Sequence, residues 1–403
     1  MPAHPTTQPN GAFPFGPLAA TMSMQTAATM AAYSVPSLAP VIAHDLRIDG
    51  ALSGYFVSLV YGVGIVSSLA AANLIHRFGA VRVSQLVLLA AVCMLAICAS
   101  GHAAALALGA VVLGMAYGAT APVSAHLLVP RTPVSMLNLV LSVRQIGVPL
   151  GGVLAALALP PLALNLGWQA TLLMSAVPIA LFMVCLQWPR RQWDAPAQAS
   201  ASAPHGGLAQ LRGLLASSAN LRRLTLASFV FQGVQLCFVA FMTVQLTERA
   251  GFGLIAAAQA LALFQVTGVV SRPLWGALAD RIGSARGLLA ALGFVTGAAA
   301  IAAGFYSEHW PAALVLVVTA IAGASANGTT GLAYAEFARL GGPKRTEATG
   351  LGSAAMFSGV LVLPSLGATL VTATGSYLPT FAGFGVLAMA TAVALARPTM
   401  ARG

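Results

Sequence analysis

The stretch "GIVSSLAAANLIHRFGAVR", Gly64 to Arg82, returns 204 residues later as "GVVSRPLWGALADRIGSAR", Gly268 to Arg286. With no gap, Gly64/Gly268, Val66/Val270, Ser67/Ser271, Leu74/Leu278, Arg77/Arg281, Gly79/Gly283 and Arg82/Arg286 are identical. Each copy joins the end of a long apolar run to a tight basic turn. The repeat extends outward from this pair. "AATMSMQ", Ala19 to Gln25, aligns with "LASFVFQ", Leu226 to Gln232, which sets Gln25 opposite Gln232. Gly118 aligns with Gly328 at a slightly larger offset, the drift being absorbed in loops.

Composition names the solvent. Of 403 residues, 58% are hydrophobic and 7% charged, against about 25% charged in a soluble domain. So few charges cannot cover that much apolar sequence in water, so the chain is read as an integral membrane protein in a lipid bilayer. The excess of 19 Lys and Arg over 8 Asp and Glu is spread over short loops. It forms no basic domain for a phosphate backbone, so nucleic acid is not an expected partner. Cys93, Cys98, Cys185 and Cys237 lie inside apolar runs without metal-ligand spacing and read as small core hydrophobes. No metal or cofactor is expected, and an integral-membrane enzyme is a poor fit because the sequence has no nucleophile–base pair or metal cluster such as H-E-x-x-H. No Lys or Arg precedes the first apolar stretch, which argues against a cleaved signal peptide.

A helical span takes about 20 mostly apolar residues. Twelve such runs are expected, near 17–43, 51–74, 83–100, 103–128, 136–160, 168–188, 224–246, 254–276, 287–306, 311–335, 349–371 and 377–396. The long polar stretch 189–223 contains "APAQASASAPHGG", a flexible-linker composition. It divides the chain into a six-helix bundle over 1–188, a central loop, and a second six-helix bundle over 224–403. With both termini in the cytoplasm, fifteen cations, Arg77 to Arg402, fall on the inner side and only Arg47 and Arg249 on the outer. That bias orients the chain, in a bacterial cytoplasmic membrane, with both termini and the central loop inside. Trp168 and Trp310 at outer ends, with Trp188 and Trp275 near inner ends, read as interfacial anchors. Two membrane halves of this kind can rock about a site held between them.

On these features the chain resembles the major facilitator superfamily, over nearly its whole length. The resemblance implies an all-α fold of twelve transmembrane helices in two pseudo-symmetric bundles, transporting by alternating access. Its most specific element is the loop that in the family reads G-x-L-x-D-R-x-G-R-R. The second copy here, "GALADRIGSAR", matches through Gly276, Asp280, Arg281 and Gly283. The first, "ANLIHRFGAVR", departs: Ala72 stands for the Gly and His76 for the Asp, followed by Arg77 and Gly79. In the family this loop locks the inner gate, so the resemblance assigns gating to Asp280, Arg281, Gly283, His76, Arg77 and Gly79. Asp280 is expected to pair with a cation of a neighbouring span, and His76 to weaken the first lock or make it pH-sensitive. Drug exporters of the family carry an Arg early in span four and G-P-x-x-G-G in span five. Here Ala110 stands near the first place, and "GVPLGG", Gly147 to Gly152, is one residue out of phase.

Two cations lie within spans, Arg144 and Arg272. Arg272 is eight residues before Asp280, hence about 12 Å into the membrane at about 1.5 Å per residue, and Arg144 is at similar depth. A charge there costs on the order of 2.5–3.5 kcal/mol. Arg144 shares a helix face with Gly147 and Gly151, and Arg272 with Gln265, Gly268 and Gly276. Small-residue faces meet other helices, so both guanidiniums should face protein or a wet cavity rather than lipid. No acidic residue lies mid-span, so the substrate is the natural counter-charge. A guanidinium fork matches a carboxylate or phosphate bidentately. The "SRPLWG" context of Arg272 resembles the monocarboxylate and oxalate–formate branches, where the matching Arg engages a carboxylate; the second cation of the oxalate type, in span eleven, is missing, and Arg144 takes its place. Gln25, Tyr117, Gln232, Gln235 and Asn327 complete the expected substrate-binding set, with Tyr33 beside them; His126 reads as interfacial.

The expectation is a secondary active transporter of a small organic anion, with a co-transported proton or an exchanged anion. The rivals are an exporter of hydrophobic or cationic drugs, which the embedded positive charge disfavours, and a non-transporting membrane sensor, for which the central loop is short.

Overall fold

The computed structural model describes residues 13–47, 52–194, 212–213, 215–216 and 218–397. The expected linker "APAQASASAPHGG", Asp49 and Arg402 lie outside the described residues. The chain is a run of helices. The first passage is α1 (Phe15–Ser37) continued by α2 (Ala39–Leu46). Next come α3 (Leu52–Phe78) and α4 (Ala80–Cys98). The fourth passage is split into α5 (Ala103–Tyr117) and α6 (Thr120–Leu128), and the fifth into α7 (Leu137–Arg144) and α8 (Gly147–Leu166). The sixth is α9 (Trp168–Cys185), followed by the short α10 (Arg190–Asp194). The second half comprises α11 (Ala219–Arg249), α12 (Leu254–Ile282), α13 (Ala285–Gly304), α14 (Ala312–Gly341), α15 (Arg345–Thr374) and α16 (Leu378–Ala396).

Every expected span falls on helix, but composition alone marks fewer of them. Among the described residues, nine helical segments are long and apolar enough to cross a membrane, one of them, Ala312–Thr374, holding the tenth and eleventh spans together. The first and eighth spans are not among the nine. Their helices carry Thr21, Gln25, Thr26 and Thr29, and Gln265, Thr267, Ser271 and Arg272 respectively. Polar groups on a helix in lipid must be satisfied by protein, so these two helices are set apart by what they turn inward.

Each half has its own core. One apolar cluster draws on residues from Met24 to Leu186. The other draws on residues from Leu221 to Leu395, with Ala121 from the first half. A small third cluster, Leu18, Leu128, Val140, Leu141 and Ala335, joins the halves at the end where the basic turns lie. The repeat is visible as paired hydrogen bonds. Ser67 Oγ donates to the Gly114 carbonyl at 2.8 Å, and its counterpart Ser271 Oγ donates to the Ala324 carbonyl at 2.9 Å. The turns after α3 and α12 are made by Gly79 and Gly283, whose φ angles of +87° and +70° lie where a side chain is disfavoured.

Both split passages have a local cause. A helical carbonyl is normally bonded by the N–H four residues on, and Pro has none. Pro122 therefore cannot bond the Gly118 carbonyl, and on the other side of the break Ser67 Oγ stands between the Gly118 N–H, from which it accepts at 3.0 Å, and the Gly114 carbonyl, to which it donates at 2.8 Å. At that point α3 and the fourth passage touch so closely that a Cβ on Gly118 would overlap the Gly64 carbonyl. Pro149 likewise cannot bond the carbonyl of Gln145, between α7 and α8, which accepts from the Val148 N–H at 3.3 Å instead. One expectation from the aromatic residues is corrected. Trp168 is not an anchor facing lipid: it is 2% exposed, and its Nε1 donates to Asp45 Oδ2 at 2.8 Å. An indole N–H and a carboxylate at a helix end satisfy one another, which draws the ring inward. Trp188, at 93% exposed, remains at the surface.

Candidate functional site

A cavity of about 400 Å³ lies between the halves. Arg144, Arg272, Gln25, Tyr117, Gln232, Gln235 and Asn327, all named from the sequence, line it, as does Tyr33. Its direction follows from the helices. On α1 the lining runs from Gln25 to Ser37, on the fifth passage from Arg144 to Ala156, on α11 from Gln232 to Val239, and on α15 from Met356 to Val360. In each case it extends away from the basic end. The two arginines therefore form the floor.

The halves meet beneath that floor. Gly276 of α12 lies against α7, where a Cβ would come within 2.7 Å of Leu139 Cα and 2.8 Å of the Asn138 carbonyl. Gly331 of α14 faces Ser142, and Gly350 of α15 faces the Ser68 carbonyl of α3. The outer part of the fifth passage, α8, packs on α1 and α9 of its own half. The cavity is closed toward the basic end.

Both guanidiniums are buried, Arg144 at 3% and Arg272 at 5% exposed. Arg144 Nη2 donates to Gln25 Oε1 at 2.8 Å and to the Thr120 carbonyl at 2.9 Å, and Nη1 donates to Gln145 Oε1. Its Nε has no partner. Arg272 Nε donates to the Asn327 carbonyl at 3.1 Å, Nη2 to Asn327 Oδ1 at 3.2 Å, and Nη1 across the cavity floor to the Gln145 carbonyl at 3.3 Å. That last acceptor is the carbonyl that Pro149 cannot bond, and it also accepts from the Val148 N–H at 3.3 Å. Every one of these acceptors is neutral, and no carboxylate is among the described residues lining the cavity.

An amide chain runs on from Arg272. Gln235 Nε2 donates to Asn327 Oδ1 at 2.8 Å, Gln232 Nε2 to Gln235 Oε1 at 2.7 Å, and Thr330 Oγ1 to Gln232 Oε1 at 3.1 Å. On the other half, Gln25 Nε2 donates to Thr29 Oγ1 at 3.0 Å and to Tyr117 Oη at 3.4 Å. The Arg144 and Arg272 faces predicted from small residues do meet helices: Gly147 and Gly151 abut α1, and Gly268 abuts Asn327.

Sequence reading missed Gln145, Tyr61, Thr330, Tyr334 and Phe357 among the lining residues. Two signals were available. Gln145 is four residues before Pro149, which marks a carbonyl without its usual i+4 donor next to Arg144. Thr330 and Tyr334 follow Asn327 at i+3 and i+7, the spacing of one helix face.

The gating set divides at the basic end. Asp280 has no ion-pair partner among the described residues, contrary to the expectation of a cation. It accepts from the Asn138 N–H at 3.1 Å, Asn138 Nδ2 at 2.8 Å and the Leu139 N–H at 2.9 Å. The unpaired N–H groups and positive dipole end of α7 serve in place of a side-chain cation. In the first copy His76 Nε2 lies 3.7 Å from Glu347 Oε1, in the first turn of α15. The two copies thus face opposite partners. Arg77 lies over the ring of Phe78, 5.1 Å from its centroid, and Arg281 is exposed. His126 Nδ1 is 3.1 Å from Thr346 Oγ1, a contact between α6 and α15. Near Gly79, Asp194 of α10 accepts from the Val81 N–H at 3.0 Å. Burial raises the Asp194 carboxyl from its ordinary pKa, and that hydrogen bond pulls it back.

Solved structures share this architecture. The Escherichia coli fucose:proton symporter FucP matches at a TM-score of 0.71 and 15% identity, over 94% of this chain and 98% of that one. The proton:xylose symporter XylE, bound to 6-bromo-6-deoxy-D-glucose, matches at 0.71 and 14%, over 94% of each chain. The human organic anion transporter MFSD10 matches at 0.66 and 16%, over 95% of this chain and all of that one. At such identities the likeness is one of fold. No curated protein sequence matches the chain. The family model of the Major Facilitator Superfamily matches residues 21–338 and 260–402. The chain is a membrane transporter that belongs to the major facilitator superfamily.

Proposed function

We propose that this transporter carries a small organic anion, with Arg144 and Arg272 receiving its carboxylate. The carrying observation is the floor of the cavity: two buried guanidiniums, one from each half, over which no protein carboxylate stands. Neutral acceptors meet all their nitrogens but Arg144 Nε and leave both charges in place. An anion entering the cavity supplies the missing charge and gains most from it where water is excluded. The branch resemblance of "SRPLWG" supports the same class, as does the likeness to a human organic anion transporter. Gln25, Tyr117, Gln232, Gln235 and Asn327 hold the rest of the substrate or orient the two arginines.

In this reading the halves are residues 1–188 and 224–403, joined by the loop 189–223, with the basic end in the cytoplasm of a bacterial cell. The closed basic end then corresponds to an outward-facing carrier. Coupling comes from a proton travelling with the substrate or from an exchanged anion, because no mid-span acid is present to carry a proton. A second reading, a neutral hydroxyl-rich substrate, draws on the amide chain from Thr330 to Asn327 and on the sugar symporters that share the fold. Uptake of a panel of radiolabelled carboxylates, sugars and lipophilic cations into proteoliposomes decides between them. Carboxylates should be the class accumulated. Accumulation of sugars alone supports the second reading, and of lipophilic cations alone supports drug export.

A further inference from the structure

We propose that the anion carries a flat unsaturated ring, an aromatic carboxylate, and that Tyr33, Tyr61, Tyr117 and Phe357 form the wall that recognises it. The inference rests on the anion reading above and narrows it. All four side chains line the cavity that Arg144 and Arg272 floor. Tyr61 meets Tyr117 edge-on, with centroids 5.6 Å apart and planes at 82°, and meets Phe357 in the same way at 5.1 Å and 80°. Tyr117 and Phe357 are inclined by only 28°, their centroids 6.0 Å apart. These are the offset and edge-to-face geometries that aromatic rings prefer. The cluster is also held: Tyr117 Oη is tied to Gln25 and Thr29, and Phe357 sits 3.2 Å from where a Gly64 Cβ would be.

Charge decides what kind of ring fits. An aromatic wall alone also suits a cation, but two guanidiniums in the same cavity repel one. Position decides how it lies. Tyr33, Tyr61 and Tyr117 belong to the first half and Phe357 to the second, as Arg144 and Arg272 do. A ligand with its carboxylate on the floor and its ring against this wall touches both halves at both ends, so its binding is sensitive to their relative position. The volume of about 400 Å³ is near the small end of ligand sites, about 300–1,000 Å³, and suits an acid of one or two rings.

The test compares acids matched in charge and size. Benzoate and 2-naphthoate are set against cyclohexanecarboxylate and decahydro-2-naphthoate, and against benzamide and 2-naphthamide, by calorimetry on the purified full chain in detergent. An aromatic pair adds about two- to tenfold in affinity beyond simple burial. At least one aromatic acid should therefore bind about fivefold or more tighter than its saturated counterpart. That ratio should fall toward one in Phe357→Leu, with Tyr61→Leu as the second variant. Equal affinity for flat and saturated acids in the native chain overturns the ring while leaving the anion. Amides binding as tightly as acids overturn the anion while leaving the ring. Absence of binding by every acid overturns both. If the variants fail to fold, the native ratio still decides.

Discussion

Arg272 Nη1 donates to the backbone carbonyl of Gln145 at 3.3 Å, and so ties the second half to the break in the fifth passage of the first. The acceptor lacks its usual N–H four residues on, because Pro149 has none, and it also accepts from the Val148 N–H at 3.3 Å. The arginine best placed to meet an anion is thus also a strut between the halves. An anion that draws the guanidinium away must weaken that strut. In the proposed anion reading, binding and closure at the basic end are therefore linked through one side chain, as an alternating carrier requires.

The seam beneath this strut depends on close approach. A Cβ on Gly276 would stand 2.7 Å from Leu139 Cα, so Gly276→Val should hold the basic end apart. Spin labels at Val134 and Lys344, exposed on opposite halves there, should show a longer distance in the variant. An unchanged distance distribution would mean that this contact does not govern closure.

Asp280 caps α7 across the same seam with three hydrogen bonds. Loss of a cap typically costs about 1 kcal/mol, or about fivefold in an equilibrium. Asp280→Ala should slow transport by about that factor and leave substrate affinity nearly unchanged, and Asp280→Asn, which loses the charge but keeps an acceptor oxygen, should slow it less. Wild-type rates in proteoliposomes would remove Asp280 from the gate.

In the first copy the carboxylate is on the opposite side of the contact, Glu347 Oε1 lying 3.7 Å from His76 Nε2. Restoring the family's Asp at this position should therefore harm the protein. His76→Asp puts two carboxylates together and should lower the transport rate, and adding Glu347→Gln should recover it. A gain of activity in the single variant would show that Glu347 is not its partner.

The proposed orientation is checked by labelling. Asn165, exposed at the end of α8, belongs to the outer face, and Ala199, in the central loop and outside the described residues, to the inner one. Single cysteines at these positions should react with an impermeant maleimide from opposite sides of sealed vesicles. Reaction of both from one side contradicts the topology.

The sequence carried the fold further than the site. Apolar runs about 20 residues long place helices well because lipid permits few alternatives, and the repeat from Gly64 and Gly268 fixes which helices correspond. Ser67 and Ser271 make equivalent bonds as a result. The cavity residues emerged from charge and from the repeat: Arg144 and Arg272 are the two cations within spans, and Gln25 and Gln232 stand opposite each other in the two halves of the sequence. Tyr61 and Phe357 did not, because aromatic residues belong equally to lipid faces, cores and cavities, and only packing tells these apart. Trp168 shows the same ambiguity resolved the other way, into a buried bond with Asp45. The partner of Asp280 was misjudged because a helix N-terminus, assembled only on folding, carries no charged letter in the sequence.

The central claim is that the two floor arginines bind the substrate's anionic group. The direct measurement is counterflow and equilibrium binding of the best-accumulated carboxylate with Arg144→Ala, Arg272→Ala and Arg272→Lys, in liposomes with and without a pH gradient. Losing one partner of a desolvated charge pair costs about 3–5 kcal/mol, more than a hundredfold in affinity. Each Ala variant should nearly abolish binding, and Arg272→Lys should recover only part, since an ammonium cannot reproduce the two-pronged guanidinium contact. Unchanged carboxylate affinity in both Ala variants would contradict the account.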